Sequence, residues 1–359
     1  NLKNTISEMQ QVSDQINQIR EDLKQLPDHS ISEELLEKRD MLNELLSQLM
    51  DEELAEMLEE LRQLQEKLSD KNDLKDLEDI DFSLDDMEKQ LDRNLEMLKR
   101  YDVEKDMENL IDDLKDLSEE YNKTDSLTKQ KTVDSLYNQL QNQLKKHDEV
   151  LQKNKELESP LGLDSFDKRK QNISEKSQKY KDGKQSKENN PADDIDSLAD
   201  DMKKNMEDAM QEENAESAEL IRELLENILL YSFEQEELIK QFQSTVSPDN
   251  YMKRNQIHLN ERFTVIEDSL QMLMMRNIQL ASFVGGQLKD INFHFSKISQ
   301  TFSLDVYKSV NVHQQSIMKS VNDLVLMLQE SLKDMNSNSS GNGGNCKKSG
   351  KNKKPGMGA

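Results

Sequence analysis

The chain has 359 residues, with 48 Lys and Arg against 73 Asp and Glu, which gives a formal net charge of −25 at pH 7. Its ten Gly, five Pro and 4% aromatic residues are too few for a compact α/β or all-β enzyme, in which most turns need Gly or Pro. The negative charge argues against nucleic acid as the main partner, since phosphate binding needs a basic face, and against broad docking on anionic lipid.

Residues 1–166 are predicted to form coiled-coil helices. Apolar residues recur there at alternating spacings of three and four, the heptad pattern of helices that pack side by side. One such seam consists of Leu54, Met57, Leu61, Leu64 and Leu68. The sequence predicts a helix start at Ser83 and chain reversals at Pro27, 122–125 and Pro160.

Residues 167–190 differ in composition, because they are rich in Lys, Gln, Ser, Asn and Asp and contain almost no apolar side chain. This composition predicts a polar, solvated linker or a frayed helix, and it marks the best domain boundary. A C-terminal helical bundle is predicted to follow over 191–335, with further chain reversals at Pro248 and Ser303.

The longest apolar seam lies in 259–302, where only one step departs from the alternation of three and four. Asn277 occupies one of its positions, and a polar residue there can fix helix register and partner choice. A simple edge position is the other interpretation of Asn277. Gly285 and Gly286 could bend or break this helix.

Residues 336–359 hold most of the Gly and carry five Lys without an acid, which predicts a disordered, locally basic tail. Cys346 is the single cysteine, so it cannot form an internal disulfide, and we expect an inert thiol. The chain starts at Asn1 inside what resembles a helix, which we interpret as a fragment of a longer protein.

The motifs that carry catalysis or bind cofactors are not found in the sequence. The histidines lack the Glu-x-x-His and HExxH spacings of metal sites; they are His29, His147, His258, His294 and His313. No phosphate-binding loop and no GxSxG elbow occurs. The sequence therefore predicts no enzyme, no catalytic residue, no metal ligand and no cofactor.

A Met- and Phe-bearing stretch is the best candidate for partner binding. Met-rich surfaces serve adaptable protein binding, although filling a core around a seam is the more common role of Met. The candidate partner-binding residues are Phe263, Met272, Met274, Met275, Asn277 and Phe283.

Five stretches of the chain, 87–117, 223–242, 263–284, 320–335 and 346–358, resemble an uncharacterised family of large, membrane-anchored, helix-rich proteins of Bacteroidota. The resemblance implies a membrane anchor upstream of this chain, a location in the bacterial cell envelope and a continuation past the last residue. A cytoplasmic location is the alternative. The resemblance carries no catalytic residue.

The sequence thus predicts an all-α protein of elongated antiparallel coiled-coil hairpins or a helical bundle. The first hypothesis is a non-enzymatic scaffold or spacer within a larger envelope protein. Its heptad seams would contact protein partners, either a second copy in a homo-oligomer or another helical protein. The alternative is a regulatory or chaperone-like module that binds a client helix through the helices of 220–302.

Overall fold

The fold was determined as a computed structural model. The structure describes residues 32–48, 74–124, 130–183, 186–245, 248–303, 307 and 309–339. Over these residues it is 89% helical and contains no strand. The all-α class predicted from composition and seam spacing is therefore confirmed.

Eight α-helices account for the described residues. They are α1 (Glu33–Gln48), α2 (Leu74–Asn122), α3 (Gln130–Lys155), α4 (Asp167–Lys181), α5 (Ala192–Gln243), α6 (Asn250–Arg276), α7 (Ile278–Ser303) and α8 (Val310–Ser339). A short 3-10 helix, Lys187–Asn189, precedes α5. With 49 and 52 residues, α2 and α5 are each about 70–80 Å long at the helical rise of about 1.5 Å per residue.

Several helix ends follow from local sequence signals. The Asp249 carboxylate caps α6 by accepting a hydrogen bond of 2.8 Å from the backbone N of Met252. Before α5, whose N-cap position is Pro191, the Asn190 side-chain oxygen accepts a hydrogen bond of 3.0 Å from the backbone N of Ala192. The ends of α2, α3, α5 and α7 agree with the chain reversals predicted from sequence, whereas Pro27 lies outside the described residues.

The structure places two helix boundaries at positions that the sequence did not indicate. Helix α2 begins at Leu74 and passes through Ser83 without a break, because an interior Ser costs only a few tenths of a kcal/mol. The apolar seam over 259–302, whose continuity as one helix the sequence left open, is divided between α6, which ends at Arg276, and α7, which begins at Ile278. The helix is interrupted at Asn277 and not at Gly285–Gly286, which lies inside α7.

The segment expected to be a polar linker forms helix α4 over 167–181. Ile173 and Tyr180 are buried there, and Lys170 and Ser177 lie on the same face at spacings of three and four. The expectation failed because only two apolar side chains mark the buried face. Two apolar side chains are sufficient to bury this face of α4, because the other helices supply most of the core around them.

Two apolar cores are present, and they do not divide the chain at 167–190. The first core contains α1, α6, α7, α8 and the C-terminal half of α5. The second core contains α3, α4 and the N-terminal half of α5. Helix α2 joins the first core through Met97 and Tyr101 and the second core from Val103 to Tyr121. The two long helices therefore pass through both cores.

The apolar seam of α6 is buried against other helices of the same chain. Leu259, Phe263, Leu270 and Leu273 are each at most 3% exposed. None of the described helices is long and apolar enough to cross a bilayer. The predicted tail begins inside α8, which extends to Ser339, and the rest of the tail lies outside the described residues.

Candidate functional site

The predicted partner-binding residues differ widely in exposure. Phe263 is fully buried, with its ring centroid 5.1 Å from that of Tyr231 and 5.5 Å from that of Phe295. Met274 is also fully buried, whereas Met272 is 53% exposed. Phe263 and Met274 thus fill the first core, which is the role that Met and Phe most often have at seam positions.

The other three predicted residues surround the break between α6 and α7. Asn277 has an extended backbone, and its N–H donates to the Leu273 carbonyl at 3.0 Å, which closes α6. Its side-chain oxygen accepts from the backbone N of Gln279 at 3.1 Å, which caps the first turn of α7. Met275 and Phe283 are half-buried. Asn277 is therefore a helix-capping residue in this structure.

A cleft of about 930 Å³ opens where α1, α2, α5 and α8 meet this break. Asn277 and Ile278 line it at the break, and Glu330 and Asp334 line it from α8. Cationic residues line it as well; they are Lys38, Arg100, Arg222 and Arg276. Because charges of both signs face the cleft, its lining gives no preference for an anionic or a cationic ligand.

Ion pairs tie together the helices on one wall of the cleft. The two terminal nitrogens of Arg100 on α2 bind the two carboxylate oxygens of Glu213 on α5, with Nη1 2.6 Å from Oε1. Arg100 Nε donates to Glu104 at 3.2 Å, and Lys38 on α1 donates to the other oxygen of Glu104 at 2.8 Å. The planar guanidinium matches a carboxylate in this two-pronged manner, which fixes the orientation of both side chains.

Glu213 has the chemistry that comes closest to a catalytic group in the cleft. Burial raises the pKa of Glu213, while the nearby Arg100 and Arg276 oppose that shift. A carboxyl with a raised pKa in a cleft is a candidate general acid. Both oxygens, however, are occupied by Arg100, and Arg276 Nε lies 4.0 Å from one of them. The geometry is that of a structural ion pair.

A second polar group lies inside the first core. We name it the glutamine layer, and it consists of Gln235 on α5, Gln256 on α6 and Gln314 on α8, all fully buried. Gln235 and Gln256 exchange two amide hydrogen bonds of 2.9 and 3.1 Å. Gln314 donates to Gln256 at 2.8 Å, and the Tyr231 hydroxyl donates to Gln235 at 3.3 Å. Amide pairing of this kind requires one specific alignment of the three helices.

The glutamine layer was missed in the sequence because the seams were traced through apolar residues alone. Gln235 lies between Tyr231 and Leu238 at spacings of four and three, the same pattern as the seam itself. Gln256 precedes Leu259 in the α6 seam in the same way. The signal was a polar residue at a seam position, the same signal that drew attention to Asn277.

A third polar group lies in the second core, around His147 on α3. His147 is fully buried, and its Nδ1 lies 3.4 Å from the Nζ of Lys170 on α4. Lys170 also binds the carboxylates of Asp148 and Asp167. Burial and the Lys170 charge lower the pKa of His147 to about 4, so its ring is neutral at pH 7. His147 does not line the cleft, and its surroundings are those of a packed core residue.

Comparisons with protein-family models, curated proteins and solved structures gave no match to this chain. The resemblance to a Bacteroidota family therefore stays a prediction. Function has to be inferred from the geometry of the helices and of the polar groups between them.

Proposed function

We propose that this chain is a non-enzymatic helical scaffold or spacer that holds its two cores at a fixed separation. The observation that carries the proposal is the continuity of α2 and α5 through both cores. A continuous α-helix keeps its hydrogen-bonded length, whereas a linker between two cores would allow them to move.

The position of the Arg100–Glu213 pair supports this proposal. Arg100 precedes Val103, where the second core begins on α2, and Glu213 lies between Met206 of the second core and Ile221 of the first core on α5. The pair therefore connects the two long helices at the passage from one core to the other. Lateral ion pairs at that point resist the sliding of one helix along the other.

The burial of the predicted partner-binding residues favours the scaffold over the client-binding alternative. Such a module would present its Met and Phe side chains in an open apolar groove. Phe263 and Met274 are instead enclosed in the first core, so they do not form such a groove.

Contacts with a protein partner stay part of the proposal, but their expected location changes. The α6 seam is already buried against other helices of the same chain. Contacts with a partner would therefore fall on outward side chains of α5 such as Leu229, Leu230 and Phe233, which are 51%, 56% and 60% exposed. Light scattering over a range of concentrations tests a second copy as the partner. An association in the wild type that the double substitution of Leu230→Lys and Phe233→Lys removes would support it, and a monomer at every concentration would contradict it.

The spacing between the cores can be measured directly by double electron–electron resonance. Spin labels at Lys204→Cys and Glu237→Cys, in a Cys346→Ser background, would occupy exposed positions of α5 on the two cores. We expect one narrow distance distribution centred at about 50 Å, because 33 residues separate the labels and the helical rise is about 1.5 Å per residue.

The control substitutions for this experiment fall at Ala215, an exposed position between the two labels. Ala215→Pro interrupts the helix and should broaden the distribution, whereas Ala215→Gln should leave it unchanged. A broad distribution already in the labelled parent protein would contradict the scaffold proposal.

The envelope location implied by the resemblance is a separate proposal, which cell fractionation tests.

A further inference from the structure

Two histidines on successive helices face each other outside the cleft and outside the glutamine layer. His294 on α7 and His313 on α8 have their Nδ1 atoms 3.0 Å apart, and their ring centroids are separated by 5.2 Å. Both rings are partly exposed to solvent. At this separation one neutral ring donates its Nδ1–H and the other accepts it, so the two Nδ1 atoms face each other across a short gap.

We propose that His294 and His313 together bind one divalent transition-metal ion, with water completing its coordination. Imidazole nitrogens bind such ions at about 2.0–2.1 Å. Two nitrogens at adjacent positions of a tetragonal coordination sphere are then about 2.9 Å apart, whereas two nitrogens of a tetrahedral coordination sphere are about 3.4 Å apart. The observed 3.0 Å is the length of the hydrogen bond between the rings, and it is also close to the tetragonal spacing, which Ni²⁺ and Cu²⁺ prefer over Zn²⁺.

The surroundings of the pair permit such an ion. Asp290 lies one turn before His294 on α7, and its charge favours a bound cation, while Lys297 on α7 opposes it. Burial lowers the pKa of both His294 and His313, which favours the neutral rings that can act as ligands. Partial exposure of the rings leaves room for water ligands.

Binding needs one change of tautomer and no net release of protons. The ring that donated through Nδ1 carries its hydrogen on Nε2 once the metal occupies Nδ1, and the other ring already carries it there. The protein supplies two ligands only, in agreement with the described residues, where no group of three or more His, Cys, Asp or Glu can hold a metal. The bound ion would link α7 to α8.

Isothermal titration of Ni²⁺ into the full chain tests the site. Two ligands on one framework bind far more tightly than either alone, so His294→Asn and His313→Asn should each weaken Ni²⁺ binding by on the order of 100-fold. The matched control is His258→Asn, which replaces a histidine that is 73% exposed on α6 and should leave the affinity unchanged. Wild-type affinity in either substituted protein of the pair would overturn the proposal.

A second measurement works without substitutions and so does not depend on the folding of the variants. Paramagnetic Ni²⁺ broadens the NMR signals of the rings that bind it. At substoichiometric Ni²⁺ we expect the ring signals of His294 and His313 to broaden together and before that of His258. Broadening of His258 first, or of only one ring of the pair, would overturn the proposal.

Discussion

Arg100 and Glu213 lie 113 positions apart in the chain and join α2 to α5 through two parallel contacts between guanidinium and carboxylate. Their side chains are only 11% and 15% exposed. They lie where α2 and α5 pass from the first core to the second. The pair therefore joins the two long helices at a point between the two cores.

Removal of one member of this pair should destabilise the protein strongly. Glu213→Gln removes one of the two carboxylates that bind the buried Arg100 and leaves Glu104 as its partner, so the loss should approach, but not exceed, about 3–5 kcal/mol, the cost of a fully broken buried pair. The double substitution Arg100→Met and Glu213→Met should cost less than the sum of the single ones. Urea unfolding measures these changes. As a control, Lys145→Met at the exposed Lys145–Glu149 pair should have little effect, and equal losses at both pairs would contradict the prediction.

The glutamine layer should respond to substitution as a unit. Gln256→Leu leaves the amides of Gln235 and Gln314 without their partner, and we expect a loss of about 1–3 kcal/mol in the free energy of unfolding. Replacement of all three by Leu removes every unpaired amide, so unfolding in urea should show the triple variant to be more stable than Gln256→Leu. A neutral single substitution would show that the layer does not act through its hydrogen bonds.

The buried His147 should make stability fall in mild acid. Its pKa is lowered from 6.5 to about 4 in the folded protein, so the unfolded chain binds the proton first as the pH falls. The free energy of unfolding should be highest above about pH 6.5 and should decline by on the order of 3 kcal/mol down to about pH 4. Unfolding measured across this range should lose that decline in His147→Phe and keep it in His258→Gln, and an unchanged decline in His147→Phe would contradict the assignment.

Asn277 should contribute to stability as a cap and not as a register residue. Asn277→Ala removes the acceptor for the Gln279 N–H, which should cost about 1 kcal/mol in thermal or urea unfolding. Asn277→Asp and Asn277→Ser keep an acceptor and should be nearly neutral. Equal losses in Asn277→Ala and Asn277→Ser would indicate that the side chain acts in some other way.

The sequence was sufficient for the helical class and for most chain reversals, because Pro and capping residues act locally. It was insufficient for α4, whose buried face carries only Ile173 and Tyr180 and whose packing is supplied by distant helices. The same holds for Arg100 and Glu213, since no local pattern brings together residues that are far apart in the chain.

Gly285 and Gly286 illustrate how tertiary packing overrides a local preference. Each Gly costs about 1 kcal/mol in a helix relative to Ala, which favoured a break at that point. The neighbouring Val284 and Leu288 are buried in the first core, and their burial holds α7 together. The break occurs instead at Asn277, where the side chain supplies the capping hydrogen bond that a helix start requires.

Amide hydrogen exchange along 207–218 of α5 tests the central claim most directly, because this stretch joins the two cores. The account predicts that these amides are protected to a degree similar to that of the turns on either side, as expected for one continuous helix. Exchange as fast as in an unfolded peptide, between protected flanks, would contradict it, since the two cores would then be joined by a flexible connection.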